Sequence, residues 1–217
     1  MEENKNMKKM NGPLVYAIVG VAVLIVAVAG GAYAYYAASA TANLSGTAAG
    51  AGLNLTVNKI STGATGNLIP IDATAATLTN AAKGWNGSAV GTSWNAANAC
   101  KDKNGYSVCQ IYEVKLTNSS TVAMNFNIGV TALSGANTPN IDVVKMASNI
   151  SVTAVTSIKG SATGIASNVS VAANGTSPTY YIMVFIKNLS TAQTDNGAFS
   201  GTVTAISTTG EQVKAAF

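Results

Sequence analysis

From Pro13 to Ala40 the chain reads PLVYAIVGVAVLIVAVAGGAYAYYAASA without one charged residue, and this run limits what the rest can build. Leu14 to Ala38 is long enough, at about 1.5 Å per residue, to cross a hydrocarbon core of about 30 Å as a helix. A short polar head, MEENKNMKKMNG, precedes it and carries Lys5, Lys8 and Lys9. Polar head, local positive charge and apolar run follow the order of an export signal. The positive-inside rule then leaves the residues after Ala40 facing outward. Ala32-Tyr33-Ala34 and Ala38-Ser39-Ala40 present small residues at the two positions a signal peptidase reads. They predict cleavage between Ala34 and Tyr35 or between Ala40 and Thr41. Composition alone admits two other fates. One is a retained single-pass anchor. The other is a type IV pilin-like signal, cut before the run and keeping it as a filament helix, which Pro13 and the lack of a clear cleavage pattern at Asn11-Gly12 weigh against.

The 217 residues leave enough chain beyond this segment for one domain with a sizeable core. Only 9% of residues are charged, there is no His, and all 12 basic residues are Lys. Imidazole bases, His metal ligands and Arg clamps are therefore missing from the chemistry on offer. Beyond residue 40, nine scattered Lys face six carboxylates. With no basic stripe and no interleaved aromatics, the pattern excludes nucleic acid as a partner.

The remaining chain reads as strands between turns. Leu53, Leu55 and Val57 alternate with Asn54, Thr56 and Asn58. From Tyr106 the alternation strengthens: Val108, Gln110, Tyr112, Val114 and Leu116 share one face, and Cys109, Ile111, Glu113 and Lys115 the other. Val122, Met124, Phe126, Ile128 and Val130 form the cleanest period-two pattern. With Asn118-Ser119-Ser120 as the turn, these two runs predict an antiparallel hairpin with one buried face. Shorter strands are predicted at Ile141 to Lys145, Ile150 to Ile158 and Val169 to Ala172. Tyr180 to Ile186, apolar on both faces, predicts a central strand covered on both sides. After a turn at Asp195-Asn196-Gly197, Phe199 to Ser207 supplies the last strand. A short helix is expected after Asp72 as N-cap. Seven to nine strands with at most short helices predict an all-β fold, a β-sandwich.

Export places Cys100 and Cys109, on either side of a Lys-Asn-Gly turn, in an oxidising compartment, where they are expected to form a disulfide. A metal would need further thiol or imidazole ligands that the chain lacks. Asn-x-Ser/Thr acceptors stand at Asn43, Asn54, Asn86, Asn118, Asn149, Asn168, Asn174 and Asn188. On a charge-poor exported domain, glycans there would supply solvation. Asp72, Asp102, Glu113, Asp142, Asp195 and Glu211 form no paired motif and are expected to cap turns and ends. No cofactor is expected.

Three stretches, GGAYAYYAASATANLSGTAAGAGLNLTV, EVKLTNSSTVAMNFNIGVT and TDNGAFSGTVTAISTTGEQ, cover roughly a third of the chain. In that order they resemble the TasA and camelysin-like family: an export segment ending in a Tyr-Ala-aromatic stretch, a strand and Asn-containing turn, and a final Asp-Asn turn and strand. Tyr36-Ala37-Ala38 stands where the family carries Phe-Ser-Asp. The resemblance implies a jelly-roll sandwich and a fibre-forming role, as in biofilm fibres, archaeal bundling pili and archaeal thread filaments, with subunits joined by donor-strand complementation. The donor expected here is Thr41-Ala42-Asn43-Leu44-Ser45-Gly46-Thr47-Ala48-Ala49-Gly50-Ala51-Gly52, while Leu53 to Ile60 pairs within its own subunit. Camelysin has been classed as a metallopeptidase, but no zinc-ligand pattern carries that activity over. The expected protein is a non-catalytic, extracellular or cell-surface filament subunit whose partners are copies of itself, with membrane contact before processing. The alternative is a membrane-anchored or S-layer-associated binding module that keeps its helix.

Overall fold

The computed structural model of the chain describes residues 52–65, 67–135, 140–189 and 199–217. Among these lie β1 (Leu53–Lys59), α1 (Ala75–Lys83), β2 (Trp85–Asn86), β3 (Ala89–Val90), β4 (Cys109–Asn118) and β5 (Met124–Gly135). They are followed by β6 (Ile141–Met146), β7 (Ser161–Val171), β8 (Gly175–Thr176), β9 (Tyr180–Ile186), β10 (Phe199–Ser207) and β11 (Gln212–Ala216). β2, β3 and β8 are two residues each, so eight strands carry the architecture. The fold is the expected all-β sandwich. One sheet has the order β1-β4-β9-β6, with β8 also on β4, and the other β11-β10-β5-β7. Every ladder between the named strands is antiparallel.

Alternation sorts the core. Leu55, Val114, Leu116, Val143, Ile182 and Val184 of the first sheet meet Phe126, Ile128, Val130, Ile165, Val203 and Ala205 of the second. The first sheet buries its other face as well. Ile111, Val144, Met183 and Phe185 pack under Leu78, Ala81 and Ala82 of α1. β9 is therefore a central strand covered on both sides, as its continuous apolar run requires.

The helix starts two residues later than the Asp72 cap predicts. Thr74 is the N-cap, its hydroxyl accepting from the Thr77 amide at 3.1 Å. Gly84 ends it at φ 70°, where a Cβ would lie 2.0 Å from the Asn98 carbonyl oxygen.

Two predicted pairings are corrected. β4 and β5 do not form a hairpin: β4 pairs with β1 and β9, and β5 with β10 and β7. The Asn118-Ser119-Ser120 turn carries the chain from one sheet to the other, and both strands still turn one face to the same core. Ile150 to Ile158 is not a strand. Val152 and Ile158 are buried singly, and the Val152 backbone is met by the Thr79 hydroxyl, which accepts from its N–H at 3.0 Å and donates to its carbonyl at 3.2 Å. β7 begins eight residues before Val169, since it starts at Ser161 and continues to Val171, inside the expected segment. β11 was not expected. The Asp195-Asn196-Gly197 turn lies outside the described residues.

Two buried serines complete the β4 ladder where partner strands stop. Ser61, just past β1, accepts from the Ile111 amide at 3.0 Å. Between β8 and β9, where Pro178 interrupts the strand, Ser177 accepts from the Leu116 amide at 3.0 Å.

Candidate functional site

The processing candidates Ala34, Tyr35, Ala40 and Thr41, and the arm residues Thr41 to Ala51, lie outside the described residues. The last arm residue, Gly52, does not. Its carbonyl accepts from the Ser119 amide at 2.6 Å, and at φ 41° a Cβ would meet the Ser119 carbonyl carbon at 2.9 Å. Gly52 therefore belongs to the β1–β4 pairing, which moves the end of any free arm to Ala51. β1 itself pairs with β4 from Leu53↔Asn118 to Lys59↔Tyr112, inside its own subunit as expected.

Cys100 and Cys109 form the expected disulfide, both fully buried, with Cα atoms 4.8 Å apart. It closes the loop holding Lys101, Asp102 and Lys103.

The acceptor asparagines separate by environment. Asn54, Asn86, Asn168, Asn174 and Asn188 are exposed, and Asn149 is half-buried. Asn168 and Asn174 sit at φ 50° and 51°, the left-handed region that Asn tolerates in turns. Asn118 is different. It is fully buried, and its Nδ2 donates to the carbonyls of Val122 (2.8 Å), Ala172 (3.1 Å) and Val171 (3.3 Å). Its Oδ1 accepts from the Ser120 amide (3.0 Å) and hydroxyl (2.6 Å). The folded domain has no room for a glycan on that nitrogen, so the expected site is corrected to a structural residue. Asn43 lies outside the described residues.

The described carboxylates serve as local caps and ion pairs. Asp102 accepts from the amides of Asn104 and Tyr106 at 2.9 and 2.8 Å. Glu113 pairs with Lys115 at 2.7 Å. Buried Asp142 pairs with Lys187 at 2.6 Å and accepts from the Val143 amide at 2.8 Å and from the Ser157 hydroxyl. Glu211 accepts from Ser207 and Thr209, and these hydrogen bonds hold its carboxyl below the usual range. Asp195 lies outside the described residues. Among the described residues no three His, Cys, Asp or Glu side chains gather as a metal site. No helix among them is long and apolar enough to cross a membrane.

Two surface features remain. At one flank, β1 and β11 are the outermost strands of their sheets and approach each other without a shared ladder. Leu53, Val57, Val213, Ala215 and Phe217 line that flank, partly buried against the core. Phe217 lies over Gly201 and against the Tyr112 ring, with centroids 4.9 Å apart. The second feature is an open cleft of about 490 Å³ over α1. One wall is the stretch 67–73, laced to its surroundings by Ile69 N–H to Ser107 (2.8 Å) and Ile71 N–H to Ile186 (2.9 Å). The β2–β3 hairpin supplies Trp85, α1 supplies Asn80, and the disulfide loop supplies Lys101, Asp102 and Lys103. Asp72 and Asn188 meet at the rim, the amide donating to the carboxylate at 2.9 Å. Sequence reasoning missed this cleft, because its residues come from four separate stretches and none carries a motif.

No protein-family model matches the chain, and no curated protein does. Among solved structures, a FixG-related protein from Vibrio parahaemolyticus is similar at 11% identity and a TM-score of 0.31, covering 76% of this chain and 93% of that one. A family 123 glycoside hydrolase from Clostridium perfringens is similar at 10% identity and a TM-score of 0.29, covering 50% of this chain and 20% of that one. Likeness at this level carries no functional argument.

Proposed function

We propose that the protein is a non-catalytic structural subunit of an extracellular filament, joined head to tail through residues 41–51. The observation that supports this most is the flank between β1 and β11. Among the described residues neither strand has a partner on its outer edge, and both edges stand beside a row of partly buried apolar side chains. Such an edge accepts an extended segment, which adds backbone hydrogen bonds and sets alternate side chains against the apolar row. TANLSGTAAGA, residues 41–51, is uncharged and rich in small residues, so it suits a narrow flank. It joins the domain at Gly52, beside Ser119 at the far end of β4 from the disulfide.

Deleting residues 41–51 is expected to abolish fibres in electron micrographs while the circular dichroism of the domain stays unchanged. Fibres forming at the normal rate would remove the reading. The N-terminus of the mature protein tests processing: a start at Tyr35 or Thr41 fits the filament. An intact Met1 to Ala40 fits the second reading, a membrane-anchored surface binding module, which the cleft over α1 favours.

A further inference from the structure

The geometry points to the cleft over α1 as a binding site for a neutral sugar residue. Its volume, about 490 Å³, lies in the range of small-ligand sites. Its lining pairs an apolar platform with convergent hydrogen-bonding groups. Trp85 is half-buried, yet it is absent from the side chains packed against either core cluster. It follows the helix cap Gly84 directly and is held by the short ladder Trp85↔Val90. An indole placed so has a large apolar surface to offer a ligand, and the C–H face of a pyranose is a matching partner.

The polar groups suit hydroxyls. The Asp72 carboxylate is oriented by Asn188, which engages one of its oxygens. Asp102 is likewise fixed through one oxygen by the Asn104 and Tyr106 amides. Each keeps a second oxygen as an acceptor. The Asn80 amide, exposed on α1, adds a donor and an acceptor. Lys101 and Lys103 supply ammonium donors against those two carboxylates, so the formal charge of the lining cancels. An anion would meet two carboxylates and a cation two ammoniums. A neutral ligand bearing both donors and acceptors meets neither opposition.

Two sources offer that chemistry: a glycan carried by this protein, since the acceptor Asn188 lines the cleft and the acceptor Asn86 directly follows the lining residue Trp85, or a separate polysaccharide. The inference holds whether or not the chain polymerises.

The test uses the full chain with Trp94→Phe, so that Trp85 alone reports. It is titrated with methyl hexosides, N-acetylglucosamine and short oligosaccharides, following indole fluorescence and the Trp85 indole N–H resonance. A saturable shift with at least one sugar is expected. In the Trp94-containing chain, followed by calorimetry, Trp85→Ala is expected to weaken binding about tenfold or more, and Asp72→Asn to weaken it with the melting temperature unchanged. A Ser88→Ala/Ser190→Ala variant removes both flanking acceptor motifs without touching the lining. Stronger binding of soluble sugar by that variant identifies the protein's own glycan as the natural occupant. Unchanged binding identifies a separate saccharide. No shift with any sugar in that variant, or an equal shift with inorganic phosphate or a neutral peptide, would overturn the assignment.

Discussion

Asn118 shows how one side chain can hold a crossing between sheets. Five hydrogen bonds converge on its amide, and three of its partners are main-chain carbonyls, of Val122 in the crossing turn and of Val171 and Ala172 at the end of β7. Each buried acceptor left unmet costs about 1–3 kcal/mol, so Asn118→Ala is expected to lower unfolding stability by about 3 kcal/mol in urea titrations. Asn118→Asp should do no better, since a carboxylate cannot donate to those carbonyls. Tyr112 carries a prediction in pH. Burial pushes its phenol up to about 12, and its hydroxyl donates to Gln110 at 2.5 Å. Below about pH 10 both folded and unfolded chains keep the proton. As pH rises from there towards 12, the unfolded chain releases it first, so stability falls, by at most about 2–3 kcal/mol. Tyr112→Phe should flatten that part of the stability profile. At this scale the sequence was only partly legible. Asn118 reads as a glycan acceptor because Asn-Ser-Ser is all a sequence can show, and its burial depends on Val171 and Ala172, more than fifty residues on.

Strands were legible from side-chain period, and their partners were not. Phe126, Ile128 and Val130 are buried as their alternation requires, but Val122, in the same predicted run, is 61% exposed in the crossing turn. A strand with one buried face looks identical whether its neighbour in sequence lies beside it or across the core, so β4 and β5 read as a hairpin. β11 escaped because its apolar face is only Val213 and Ala215, with Phe217 just beyond it, too short a run to show a period of two. The cleft escaped because Asp72, Trp85 and Asn188 meet only after the stretch 67–73 bonds to the end of β9. The disulfide was legible from spacing and compartment. It joins Cys100, ten residues beyond the end of β3, to the first residue of β4, and Cys100 adopts φ 65°. Reducing it, or replacing both cysteines by Ser, is expected to lower stability by about 2–3 kcal/mol on the chain-entropy scale for a loop this short. Differential scanning calorimetry with and without reductant measures it. Because Lys101, Asp102 and Lys103 sit in that loop, reduction should also weaken sugar binding.

For the domain as a whole, β11 is the element whose removal separates folding from assembly. Phe217 reaches from the second sheet over Gly201 to Tyr112 of the first, so a chain ending at Glu211 exposes the flank between the sheets. It is expected to unfold at lower temperature and to bind a synthetic peptide of residues 41–51 more tightly than the full chain does. Fluorescence anisotropy of the labelled peptide reads this, and equal affinity would place the joint elsewhere.

α1 and the segments around it cover one side of the first sheet, while the second sheet turns Asn125, Asn127 and Thr131 outward between its buried residues. Among the described residues, that face of the second sheet is left without a covering helix. Bare faces that meet are used up in the meeting, because nothing equivalent remains on the far side. In a filament of the proposed kind, side-by-side contact through that face alone would stop at pairs, and any thicker cable would have to be held together by edges, loops or sugars.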